Sequence, residues 1–175
     1  TTGSRKRLTK NTESDMASEK QYIDLYSENR QLIFDHSAKV MNDVRDAAFD
    51  DFRRLGFPSR KVERYKYTDI DKLFAPDYGV NINRVEFPVN PYSAFSCDVP
   101  NLSTSLYFVV NDSFYKKALP KAGLAEGVEV MSLKDASEKC PGTIAKYYSR
   151  IARTSGDAVT ALNTMLAQDG LFIHV

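Results

Sequence analysis

The residues best equipped for chemistry in this chain lie between Arg53 and Asp69. Six cations, Arg53, Arg54, Arg60, Lys61, Arg64 and Lys66, share residues 53–66 with one acid, Glu63, and Tyr65 and Tyr67 stand among them. Such a run can bind single-stranded nucleic acid, because cationic side chains pair with phosphates while phenol rings stack on bases. It can also act as a structural clasp. In that case Tyr65 and Tyr67 anchor the segment against a preceding helix, and the arginines pair with helix carboxylates or lie over aromatic rings. In an extended backbone, successive side chains point to opposite faces. YKYTD would then send both tyrosines one way and the charges the other, which favours the clasp. Arg60, Glu63, Tyr65 and Tyr67 are therefore expected to face inward.

Other chemistry finds little support. Nucleophilic catalysis requires a nucleophile with a base beside it. The chain offers only His36 and His174 as histidine bases, outside any recognisable motif. A thiol enzyme built on Cys97 or Cys140 would need a thiol of depressed pKa. Alkylation of both cysteines at the slow rate of ordinary thiols would argue against it. The eight glycines are scattered, with no phosphate-cradling loop, and zinc-ligand spacing is absent. Asp50 and Asp51 are adjacent on a helical pattern and project to different faces, a poor arrangement for an acid/base pair. The chain reads as non-enzymatic, with no catalytic, cofactor or metal site of its own.

Composition narrows the partners. Lysine and arginine total 24 against 23 aspartates and glutamates, a formal net charge of +1. This balance calls for neither nucleic acid nor an anionic membrane. The two cysteines belong to no CxxC, which suits a reducing cytoplasm better than a disulfide framework. No run approaches the ~18 apolar residues of a membrane span, and residues 1–30 lack the apolar core of a signal peptide. With 175 residues, 42% of them hydrophobic, the chain can bury a sizeable core.

The elements that must position these residues follow from the pattern. Residues 1–15 are polar and charged and are expected to be a disordered extension or a cloning remnant before Met16. From about Ser18 to Leu55, Ile33, Val40, Val44, Ala47, Ala48, Phe52 and Leu55 form one apolar stripe at helical spacing, predicting a long helix. His36 sits at the edge of that stripe and should hold a hydrogen bond. Gly56 can close the helix in a left-handed conformation, and Pro58 prevents its resumption. Thr68 with Asp71 resembles a capping box before a short helix whose apolar face is Ile70, Leu73 and Phe74. Prolines punctuate residues 76–103, where VNINRVEFPV is expected as an edge strand within extended loop. SLYFVVNDSFY predicts a hairpin turning at Asn111-Asp112-Ser113. VEVMSL predicts a strand, and Ser132 with Asp135 caps the next helix. After Cys140-Pro141-Gly142, TIAKYYSRIA predicts a helix with Ile144, Tyr147, Tyr148 and Ile151 on one side. Asp157 then caps a helix turning Val159, Leu162, Met165 and Leu166 inward. Asp169-Gly170 leads into LFIHV, an apolar strand whose backbone groups need a sheet neighbour.

Two of these passages also resemble a known family. FRRLGFPSRKVERYKYTDIDKLF is similar to the N-terminal signature of the SufD branch of the SufB/SufD family, the scaffolds of iron–sulfur cluster assembly. The correspondence runs through Gly56, Pro58, Arg60, Lys61, Glu63, Tyr65, Lys66, Tyr67 and Thr68, with Tyr65 where the family usually has tryptophan. ALNTMLAQDGLFIHV resembles the family's passage into a parallel β-helix, through Asn163, Asp169 and Gly170. LYFVVNDSFY looks like the hairpin between the two, with Asp112 where glycine is common. The closing passage is shared by SufB, so the SufD assignment rests mainly on the first.

The resemblance implies a non-catalytic N-terminal fragment of a scaffold that pairs with a SufB-like subunit and binds the SufC-like ATPase. It implies that a cluster belongs only to the full assembled complex and that this fragment carries no ligand for it. The twelve motif residues are then structural or partner contacts. The expected fold is α+β: a long N-terminal helix and short helices with a small, mostly antiparallel sheet. Residues 16–170 form the N-terminal domain, and residues 171–175 begin a β-helical core that lies beyond this chain.

Overall fold

A computed structural model describes residues 17–95, 106–117 and 124–175. The expected tail at 1–15 and Cys97 lie outside these residues. The fold is α+β, rich in helix, with two small antiparallel sheets of two strands each. The described chain divides into two compact units, one of residues 17–30, 44–79 and 149–166, the other of 31–43, 80–148 and 167–175.

The long helical pattern is two helices, α1 (Ala17–His36) and α2 (Lys39–Leu55). Neither glycine nor proline marks the break. Side chains take over the last carbonyls of α1 instead. The Ser37 hydroxyl donates to Ile33 O at 2.7 Å and the Asn42 amide to Phe34 O at 2.9 Å. Short polar side chains that bond the backbone locally compete with the helical ladder, and here they end it.

In the first unit, Tyr22, Tyr26, Ala48 and Phe52 are buried with Phe57, Ile70, Ala158, Ala161, Leu162, Met165 and Leu166. Phe57 stacks on Phe74 at 5.1 Å and meets Phe52 edge-on at 5.3 Å. Gly56 closes α2 as expected: it is left-handed at φ 62°, and its N–H donates to Phe52 O. The short helix α3 (Ile70–Phe74) is capped by Asp69, which accepts from Lys72 N, rather than by Thr68. Leu73 is half exposed, so the buried face of α3 is narrower than its pattern predicts. The helix α7 (Ala158–Leu166) starts at Asp157, whose carboxylate accepts from Val159 N and Thr160 N at 2.8 and 3.0 Å. At its other end, Arg45 is fully buried and donates to Met165 O at 2.7 Å. A buried guanidinium there offsets the unsatisfied carbonyls and the negative pole of the helix.

In the second unit, the expected edge strand over residues 80–89 is absent; the segment is turn and irregular backbone, followed by a short helix α4 (Pro91–Ala94) capped by Asn90. Asn81 fixes this shape, since its side chain bonds both Val85 N and Val85 O. The hairpin of β1 (Val109–Val110) and β2 (Ser113–Phe114) forms as expected. Asn111 and Asp112 both have positive φ, the backbone that matches the twist of a two-residue hairpin. The strand β3 (Glu129–Ser132) runs into α5 (Leu133–Lys139), capped by the Ser132 hydroxyl. The helix α6 (Pro141–Tyr147) is shorter than expected. Ile144 is buried, but Tyr147 and Ile151 are 58% and 93% exposed. Ser149 takes φ 56°, which turns the chain away before a shared apolar face can form.

The final strand β4 (Leu171–His174) has its sheet neighbour within the chain. It pairs antiparallel with β3, Glu129 opposite His174 and Ser132 opposite Leu171.

Candidate functional site

The motif residues fall into three settings. Gly56, Pro58, Arg60, Lys61, Glu63, Tyr65, Lys66, Tyr67 and Thr68 follow α2 in the first unit, Asn163 is exposed on α7, and Asp169 and Gly170 belong to the second unit.

The segment after α2 is not extended. Residues Glu63–Tyr65 form a 3₁₀ turn, and Lys66 continues with helical backbone at φ −50°, ψ −36°. In such a turn, residues two apart are rotated by roughly 240°, so Tyr65 and Tyr67 diverge rather than share a face. This corrects the expectation that both tyrosines point inward. Tyr65 is half-buried and its hydroxyl donates to Asp157 Oδ2 at 2.6 Å. Tyr67 is 86% exposed. Arg60, Lys61, Glu63, Lys66 and Thr68 are exposed as well.

Asp157 is the centre of the anchored half. Besides capping α7 and accepting from Tyr65, it pairs with Arg64 at 2.7 Å. Burial pushes its carboxyl up, but the Tyr65 hydroxyl, the Thr160 N–H and the Arg64 charge outweigh that and hold it below its usual value. The Tyr65 phenol is pushed up, first by burial and then by its bond to the Asp157 carboxylate. Two further ties hold this region. The Thr154 hydroxyl donates to Asp51 at 2.7 Å, and the Arg54 guanidinium bridges Asp51 and the Ser155 carbonyl. Glu19 of α1 accepts from Phe57 N at 2.5 Å, and a Cβ on Gly56 would come within 2.9 Å of that same carboxylate. Gly56 is thus favoured by its left-handed φ, and a side chain there would displace the Glu19 carboxylate.

The exposed half carries the cations. Lys66 pairs with Glu63 at 3.3 Å and its ammonium lies 5.2 Å from the Tyr67 ring. Arg60 and Lys61 are exposed, and among the described residues no carboxylate lies within ion-pairing distance of either.

In the second unit, Asp169 is buried and does structural work. Its carboxylate accepts from Lys134 N at 3.0 Å and Phe114 N at 3.4 Å, and faces Arg84 at 3.5 Å. Arg84 also donates to the Asp112 carbonyl at 2.5 Å, which ties the hairpin turn to the loop that follows α7. Gly170 O accepts from Leu133 N. Sequence reasoning singled out Asp169 but missed Arg84, Phe114 and Lys134 as its partners, because they lie 35 to 85 residues away in a chain read locally. A cleft of about 330 Å³ borders this cluster, with Phe87, Val110 and Lys117 on its walls.

Nothing in either group assembles a nucleophile beside a base. The His36 Nδ1–H donates to Ile82 O at 3.1 Å, His174 is exposed and stacks on Phe172, and Cys140 donates to Ala136 O. Among the described residues no group of three or more histidines, cysteines, aspartates or glutamates could hold a metal ion. None of the described helices is long and apolar enough to cross a membrane. One side of the segment is fixed by Asp157, and the other presents charge and a phenol ring to solvent.

Compared with known families, residues 16–175 match the model of the SufBD protein N-terminal region. No curated protein and no solved structure matches the chain.

Proposed function

We propose that this chain, which belongs to the SufBD protein N-terminal region family, serves as the accessory N-terminal domain of a SufD-like scaffold subunit in iron–sulfur cluster assembly. The observation that carries this is the family match over residues 16–175, which spans both sequence passages that resemble the same family. Its partners are a SufB-like subunit and the SufC-like ATPase, and it works in the cytoplasm. The chain contributes binding and support rather than catalysis, and the cluster belongs to the assembled complex. Residues 16–170 form the domain, with Gly56, Tyr65, Asp169 and Gly170 holding its structure. The motif residues left in solvent, among them Arg60, Lys61, Tyr67 and Asn163, are its contact candidates. The SufD branch, rather than SufB, is favoured by the passage from Gly56 to Thr68.

The test is reconstitution with purified SufB-like and SufC-like subunits, using the natural full-length protein and size-exclusion chromatography. The expected outcome is a complex containing both partners, with ATP hydrolysis only when the SufC-like subunit is present. A folded protein that elutes separately from both partners removes the assignment.

A further inference from the structure

We propose that the solvent-facing half of the segment after α2, formed by Arg60, Lys61, Lys66 and Tyr67, is a docking face for an acidic stretch of a partner protein. It rests on the binding role above and gives that role a surface and a chemistry.

Three observations support it. Arg60 and Lys61 are adjacent, exposed and without a carboxylate partner among the described residues. Two unpaired neighbouring cations repel each other, and an incoming pair of carboxylates relieves that repulsion. Tyr67, 86% exposed, offers a large ring with a hydroxyl at its tip, the kind of side chain that anchors protein interfaces at little entropic cost. The face is also presented on a fixed support. Tyr65 and Arg64 tie the same turn to Asp157, and Phe57 sits in the aromatic cluster with Phe52 and Phe74. A surface whose backbone is already ordered loses less entropy on binding.

The details favour an acidic peptide over a single strand of nucleic acid. Strand binding relies on successive free rings for bases to stack on. Here Tyr65 is half-buried with its hydroxyl occupied, which leaves Tyr67 as the one exposed ring of this segment. Glu63, 87% exposed at its side chain and paired with Lys66, lies between Lys61 and Lys66 in the chain and repels phosphates. A peptide can leave a neutral residue or a backbone N–H against Glu63, whereas a strand carries a phosphate at every nucleotide.

The test is fluorescence anisotropy with a labelled twelve-residue peptide of alternating glutamate and alanine, titrated with the whole chain. A twelve-nucleotide oligouridylate is the competing probe. Binding of the peptide should weaken roughly tenfold in the double variant Arg60→Glu/Lys61→Glu and about threefold in Tyr67→Ala. It should be unchanged in Lys20→Glu, which alters a cation elsewhere on the first unit. Thermal melts verify folding, and Arg60→Gln/Lys61→Gln replaces the charge-reversed variant if that one unfolds. Equal binding by wild type and either double variant overturns the docking face, as does an equal loss in Lys20→Glu. Tighter binding of the oligouridylate than of the peptide overturns it in favour of nucleic acid. No SUF subunit enters this assay, so its failure is distinguishable from failure of the reconstitution.

Discussion

Tyr65 and Tyr67 are two residues apart, have the same side chain and sit beside cations, yet one is an anchor and the other is solvent-facing. The difference comes from backbone geometry. An extended YKY would place both rings on one face, but a 3₁₀ turn followed by a helical residue rotates them apart. Asp157 decides which one is fixed, because it offers a carboxylate within 2.6 Å of the Tyr65 hydroxyl. One short segment thereby divides into a half that supports the fold and a half that remains available for contact.

Mutations can break or sharpen this division. The largest effect is expected from Asp157→Ala. It removes the cap of α7 and leaves the Tyr65 hydroxyl and the Arg64 guanidinium without their acceptor, costing about 2–3 kcal/mol in urea unfolding. Gly56→Ala should cost about 1–2 kcal/mol, since it strains a residue at positive φ and crowds Glu19. Tyr65→Phe deletes one hydrogen bond and should cost about 1 kcal/mol. Tyr67→Ala should stay within about 0.5 kcal/mol of wild type. If Tyr67→Ala destabilises as much as Tyr65→Phe, the two halves are not distinct.

The pH dependence sharpens the same point. A carboxyl held below its unfolded pKa contributes stability above that pKa, and the contribution is lost as pH falls through the folded value. Asp157 is lowered from 3.8, so the stability gap between wild type and Asp157→Asn should be constant near neutrality and shrink below about pH 4. Thermal melts of both proteins from neutral to acidic pH measure it. A gap that grows on acidification contradicts the assigned role.

The sequence was most informative where a short-range pattern decides the outcome. The hairpin turn at Asn111-Asp112, the Ser132 cap, the Asp157 cap and the left-handed Gly56 each depend on residues within four positions, and each forms as expected. Outcomes governed by distant partners or by competing local bonds were not legible. The break between α1 and α2 follows from Ser37 and Asn42 taking carbonyls, at positions where the apolar stripe alone permits continuity. Arg45 reads as a charge on a helix, and only the arrival of α7 makes it a buried cap. Thr68 and Asp69 could both cap α3, and geometry selected Asp69. In the candidate site, residue types suggested a clasp of both tyrosines against the preceding helix, whereas Tyr65 alone is anchored, and to Asp157 at the start of α7. The turn that separates them had no marker in YKYTD.

The central claim is that this chain works by holding protein partners in the SUF system. Affinity capture of the natural protein, tagged and expressed at its normal level in the cells it comes from, tests that most directly. Both a SufB-like and a SufC-like subunit should be recovered with it in fixed proportion. Recovery of a folded bait with neither subunit would contradict the account.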